Sequence, residues 1–162
     1  MIPSIQLQTK SVEREFFVLK DFVLLNGDAL LLQVFAERMQ KLKWMNKFEY
    51  IGNKESQSGR KECEITHHKS YTRITLETSV NIKMQGQYKL AIVPEEAIIY
   101  AGEQEGLANG LTTLFLLLRD GKGQCACGEI EERPVHEHRG VLLDVSRHFF
   151  SMEELKKITE QF

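Results

Sequence analysis

Before residue 138, only two stretches of this 162-residue chain repeat apolar residues at helical spacing. Most of what lies between them alternates apolar and polar residues. That mixture admits few architectures. A helix buries one stripe and a half-buried strand buries every second side chain, so two helices among many strands must share a sheet. The first helix is expected over 29–42, with Leu31, Phe35, Met39 and Leu42 on one face and Asp28 as its N-cap. The second is expected over about 103–119, with Leu107, Leu111, Leu114, Phe115 and Leu118 as its stripe. Gly106 and Gly110 sit four apart inside it. Glycine costs about 1 kcal/mol against alanine in a helix interior, so close packing on a neighbour is expected to compensate. Asp120-Gly121 ends this helix.

The strands read at 5–8, 15–19, 22–25, 48–51, 62–66, 72–76, 88–93 and 97–101. Residues 53–60 are polar, contain Gly59 and read as a loop. Links as short as Lys20-Asp21 and Pro94-Glu95-Glu96 are made most easily between antiparallel neighbours. The expected fold class is therefore α+β: a mostly antiparallel sheet with two helices packed on one face.

Composition narrows the function classes. Hydrophobic residues make up 42% and charged residues 27%, an ordinary globular balance that sets aside disordered and low-complexity classes. Lys plus Arg is 21 against 23 for Asp plus Glu, a net charge of -2. That is not the basic excess of a nucleic-acid partner. No apolar run approaches the ~18 residues that cross a bilayer, so no membrane partner is expected. The start, Met1-Ile2-Pro3-Ser4-Ile5-Gln6, lacks the basic and apolar regions of a secretory leader. Cys63, Cys125 and Cys127 are an odd number, which suits a reducing compartment. A cytoplasmic location is the expectation.

Several small motifs carry little chemistry. Cys125-Ala126-Cys127 offers two thiolates where a structural zinc takes four ligands, and Cys63 has no regular spacing to complete the set. A loop with two free thiols is the plainer reading, and no metal or cofactor is expected. His67-His68 and His136-Glu137-His138 are weak signals, and His148 reads as packing near a strand end. Gly121-Lys122-Gly123 lacks the rest of a phosphate-binding loop.

After residue 132 the pattern changes. Val141-Leu142-Leu143 is a continuous apolar run, as in a strand buried on both faces. Ser151 then reads as an N-cap, with Glu153 and Glu154 in the first turn of a helix over 152–162. The chain thus closes on a single β/α unit. The segment Arg139-Gly140-Val141-Leu142-Leu143-Asp144-Val145-Ser146-Arg147-His148-Phe149 resembles the opening barrel strand of the family-20 glycoside hydrolases, the β-N-acetylhexosaminidases. Tyr88-Lys89-Leu90-Ala91-Ile92, Ile98-Ile99-Tyr100-Ala101 and the run from Gly106 to Leu114 are similar to the end of the non-catalytic domain before that barrel. Ile2-Pro3 resembles its start. Leu116 departs from the glutamine common in relatives.

The resemblance implies an accessory domain at 1–132 and the first strand and helix of a (β/α)8 barrel at 133–162. A whole barrel takes ~250 residues. It also implies removal of terminal N-acetylhexosamine by a retaining reaction in which the substrate's acetamido oxygen attacks. An Asp-Glu pair orients that group and protonates the leaving oxygen. Here Asp21, Asp28, Asp120 and Asp144 precede Phe22, Ala29, Gly121 and Val145, so the pair is missing and this chain alone is expected to be inactive. The one family site residue within the chain is Arg147, matched to the arginine that binds the terminal sugar's hydroxyls. As a residue it can equally be a surface arginine or a partner of Asp144. Asp144 and Arg139 are expected as a buried ion pair. The exposed run at 141–143 is expected to pack on its own domain, swap, or self-associate with another copy. The alternative to a hydrolase fragment is a free-standing α+β binding module related to the accessory domain.

Overall fold

The computed structural model describes residues 15–20, 22–42, 48–50 (backbone only), 71–136 and 140–159. In chain order they form β1 (Phe16–Val18), β2 (Phe22–Asn26), α1 (Ala29–Gln40), β3 (Phe48–Tyr50), β4 (Tyr71–Thr78), β5 (Tyr88–Val93), β6 (Glu96–Ala101), α2 (Gln104–Asp120), β7 (Gln124–Ala126), β8 (Gly128–Glu132) and α3 (Met152–Thr159). The strands expected at 5–8 and 62–66, and the loop at 53–60, lie outside the described residues.

The main sheet runs β3-β2-β4-β6-β5-β8, and β1 pairs with β7 as a separate two-stranded ribbon. The expectation of a mostly antiparallel sheet is corrected. β2 runs parallel to both β3 and β4, and β4 runs parallel to β6. Only β5 is antiparallel to its neighbours, β6 and β8. The reason is the position of β6. Val93 and Glu96 pair across a Pro94-Glu95 turn, so β5 and β6 form the hairpin that the short link requires. That hairpin is laid with β6 against β4, so β4 and β5 are consecutive along the chain yet not paired. The described residues form an α/β mixed sheet with three helices and no closed barrel.

Alternation sets the core. Val23, Ile74, Leu76, Ala97, Ile99, Ala101, Tyr88, Leu90, Ile92 and Ile130 are buried, and strand register places them on one face. α1 and α2 cover that face side by side, as expected. α1 buries Leu32, Phe35 and Met39, while Leu31 and Leu42 are only half-buried. α2 buries Leu107, Leu111, Leu114 and Leu118.

The two glycines of α2 are where the helix comes closest to the sheet. A Cβ on Gly110 would stand 2.5 Å from Ile99 Cγ2 and 3.1 Å from Tyr88 Cδ2. A Cβ on Gly106 would overlap the Gln87 carbonyl oxygen and lie 2.7 Å from Ala101 Cβ. The helix-propensity cost of glycine is thus offset by packing that no side chain permits.

The helix ends follow local chemistry. Asp28 Oδ1 accepts from the Leu30 and Leu31 N–H groups at 3.0 and 3.1 Å, and its Oδ2 accepts from Gln104 Nε2 at 3.0 Å. One carboxylate thus holds the first turns of both α1 and α2. Asp28→Ala removes the cap and this cross-link together. The expected loss is about 1–2 kcal/mol of unfolding free energy, measurable by urea denaturation, and Asp28→Asn recovers most of it. At α3, Ser151 Oγ accepts from Glu154 N–H at 3.3 Å while Glu154 Oε2 accepts from Ser151 N–H at 2.8 Å. This reciprocal pair is a capping box.

Candidate functional site

The segment that carries Arg147 follows β8 by way of 133–136 and 140–150. Gly140 to Val145 forms no strand, which corrects the strand reading of Val141-Leu142-Leu143. A parallel strand exists only through neighbours, and no described strand pairs with this run. Nor does it pack on its own domain: Leu142 is 94% and Val141 61% exposed.

Past that run the chain turns about Asp144. Its Oδ1 accepts from the Ser146 and Arg147 N–H groups at 2.9 and 3.3 Å, and its Oδ2 accepts from Arg147 Nε at 2.5 Å. Aspartate favours such turns because its short side chain reaches the backbone two and three residues on. The Arg147 guanidinium, then the two N–H groups, hold the Asp144 carboxyl below its ordinary value. The expected buried Asp144–Arg139 pair is therefore corrected for Asp144, which is paired with Arg147 at the surface. Arg139 lies outside the described residues. The Arg147 side chain is 89% exposed. Among the described residues its Nη1 and Nη2 have no partner. Such a fork, anchored through Nε and open at both terminal nitrogens, can donate to two adjacent hydroxyls. His148 and Phe150 meet edge to face beside it, ring centroids 5.0 Å apart.

The other candidates fall elsewhere. Cys125 lies buried in β7 opposite Phe17, and Cys127 is half-buried just beyond. Both are free thiols. This corrects the reading of the pair as a loop, since 124–126 is a strand; β8 was also missed. Burial, then the neighbouring Cys127, pushes the Cys125 thiol up to about 11, from an ordinary value of 9.0. Burial raises Cys127 as well. The sign follows directly. The fold favours the neutral thiol, so this contribution is intact below pH 9 and is lost as pH rises toward and through 11. Denaturation curves on either side of that window are expected to show falling stability, with a shallower fall for Cys125→Ala.

Among the described residues, no group of three or more His, Cys, Asp or Glu side chains is placed to hold a metal. No described helix is long and apolar enough to cross a membrane. His136 is exposed; Cys63, His67, His68 and His138 lie outside the described residues. Gly121-Lys122-Gly123 is the C-terminal turn of α2. Gly121 N–H reaches Leu117 O and Gly123 N–H reaches Leu118 O. A helix C-terminus presents carbonyls and partial negative charge, the wrong polarity for phosphate.

One polar cluster had no counterpart in the sequence reading. Tyr88, Thr113 and Glu132 meet through their side chains, although they are spaced 25 and 44 residues apart. Separations of that size leave no local signal.

No family model matches the chain. It is 36% identical over 76 residues to a β-hexosaminidase of Akkermansia muciniphila, an alignment covering 45% of this chain and 15% of that one. It is 31% identical over 94 residues to the chitooligosaccharidolytic β-N-acetylglucosaminidase of Ostrinia furnacalis, covering 52% and 16%. Its fold is similar to a GH20 exo-β-N-acetylglucosaminidase of Vibrio harveyi crystallised in complex with N-acetylglucosamine. The TM-score is 0.65 and the identity 24%, over 97% of this chain and 22% of that one. The chain therefore spans about a sixth of the curated relatives' length and about a fifth of the solved enzyme's.

Proposed function

Because the chain is related to the GH20 β-N-acetylhexosaminidases over part of their length, we propose that it is the accessory domain and barrel opening of such a glycosidase. In this reading, residues 1–132 are the accessory domain and 133–162 begin the barrel. The whole enzyme removes terminal N-acetylhexosamine by substrate-assisted retaining hydrolysis. Arg147 binds the hydroxyls of the terminal sugar, and this chain alone does not hydrolyse.

The observation that carries the reading is the sequence relationship to two glycosidases, with a fold similar to a third enzyme over nearly the whole chain. The exposed fork of Arg147 agrees with it. So does the bare run at 141–143, which in a barrel would be flanked by further strands. Asp144 then acts as a positioning residue: it holds Nε and leaves both terminal nitrogens to the sugar.

The test uses an antibody raised to this chain. Expected is a native polypeptide several times heavier than the chain, and an immunoprecipitate that hydrolyses aryl N-acetylglucosaminides and N-acetylgalactosaminides. The purified 162-residue chain is expected to show no turnover. A native polypeptide of the chain's own size, with no hydrolysis in the precipitate, overturns the proposal in favour of a free-standing binding module.

A further inference from the structure

β8 ends at Glu132, and the chain passes from there into the segment that bears Arg147. The departure is held from several sides. Tyr88 opens β5 and is directly opposite Glu132 in the β5–β8 ladder. It is only 3% exposed. Its hydroxyl lies 2.7 Å from Glu132 Oε2 and 2.7 Å from Thr113 Oγ1 on α2. The phenol has one proton and gives it to the carboxylate, so the Thr113 hydroxyl donates to the phenolic oxygen. Burial, opposed by the Thr113 bond and reinforced by Glu132, raises the Tyr88 phenol above its ordinary range. The adjacent Gln87 Nε2 donates to Glu131 Oε1 at 3.0 Å.

A second grip lies just beyond. Gly86 has φ +68, and a Cβ there would stand 2.7 Å from Pro134 Cγ. Pro134 thus lies directly over the bare glycine. Gly86 is itself fixed by α2 and its N-cap. Its N–H donates to Glu103 Oε1 at 2.8 Å, and its carbonyl accepts from Asn109 Nδ2 at 3.0 Å. Pro134 adds a locked φ of its own.

We propose that Tyr88, Thr113 and Glu132, together with Gly86 and Pro134, form a clamp that makes the junction at 131–134 rigid and ties it to α2. The segment that follows leaves from a fixed point on the helix layer, where a bare polar linker would leave a hinge. In the hydrolase reading, on which the value of this clamp rests, Tyr88 and Thr113 are positioning residues for the start of the barrel.

The test is backbone 15N relaxation on the 162-residue chain. Arg133 and Val135 in the native chain are expected to show order parameters near those of the sheet, about 0.85. Tyr88→Phe removes the shared hydroxyl and keeps the ring; Glu132→Ala removes the half-buried acceptor and leaves the apolar core residues in place. Each is expected to bring those two residues below about 0.6, with β4 and β6 unchanged. Native values already below about 0.6 overturn the proposal, and so do variants that leave Arg133 and Val135 as rigid as before. Relaxation of this chain does not depend on hydrolysis. A flexible junction therefore defeats the clamp alone, and an inactive immunoprecipitate defeats the glycosidase alone.

Discussion

Phe17→Ala is expected to destabilise the chain by about 3–5 kcal/mol, the range for deleting a buried aromatic ring. Phe17 is fully buried, while its strand neighbours Phe16 and Val18 are about half exposed. β1 is three residues long and, among the described strands, pairs with β7 alone, Phe17 opposite Cys125. With so little backbone in the ribbon, this ring is the main part of β1 in the core. The loss should have a local signature as well as a global one. Without the ring, β1 has little reason to cover β7, and Cys125 becomes accessible. Chemical denaturation reads the first effect, and the thiol-labelling rate of Cys125 reads the second. Leu114→Ala is the comparison: Leu114 is also fully buried, its truncation costs about 2–5 kcal/mol, and it should not expose Cys125 selectively. Equal labelling in the two variants would show that the ribbon does not depend on Phe17.

The second large effect has a sign opposite to helix propensity. At an open helix position, Gly→Ala stabilises by about 1 kcal/mol. At Gly106 it is expected to destabilise by about 2–3 kcal/mol, the upper part of the overpacking range. The new methyl would overlap a backbone carbonyl, that of Gln87, which cannot turn away as the end of a side chain can. The helix must lift, and lifting separates Leu107, Leu111 and Leu114 from the strands beneath. Gly110→Ala meets a side-chain methyl, Ile99 Cγ2. Ile99 is β-branched and stiff at χ1, so the cost persists but is smaller. Unfolding curves of the two variants check both sign and order. A stabilised Gly106→Ala would mean that α2 does not lie as close to the sheet as described.

What could be read from residues alone was whatever depends on near neighbours in the chain. Asp28 and Ser151 cap the helices expected of them, because a cap involves only the next three residues. The stripe of α2 and the tight packing at its glycines were legible for the same reason. Strand order was not. The insertion of β6 between β4 and β5 is decided by packing across the sheet, and a short link constrains only the two strands it joins. β7 and β8 were passed over because each turns a single hydrophobic residue inward, Cys125 and Ile130. Two points of alternation are too few to see. The run at 141–143 shows the converse error. Its composition suits a strand between strands, and no described strand lies beside it. At the site, the matched segment singled out Arg147, and the i, i+3 spacing already allowed Asp144 as its partner. The Tyr88–Thr113–Glu132 cluster needed the fold.

The parallel centre of the sheet has a consequence for how the chain acquires its structure. Among the described strands only β5 and β6 are joined by a hairpin, so this pair can form soon after it is made. Every other described pairing must close a long loop first, and such topologies fold slowly. During synthesis β2 and β4 emerge before β6, and β1 emerges long before β7. For β1 the order of synthesis therefore runs against the order of pairing. Until residues 124–126 have left the ribosome, β1 lacks the strand it pairs with, and the nascent chain must carry Phe17, a fully buried ring in the finished fold, without that partner.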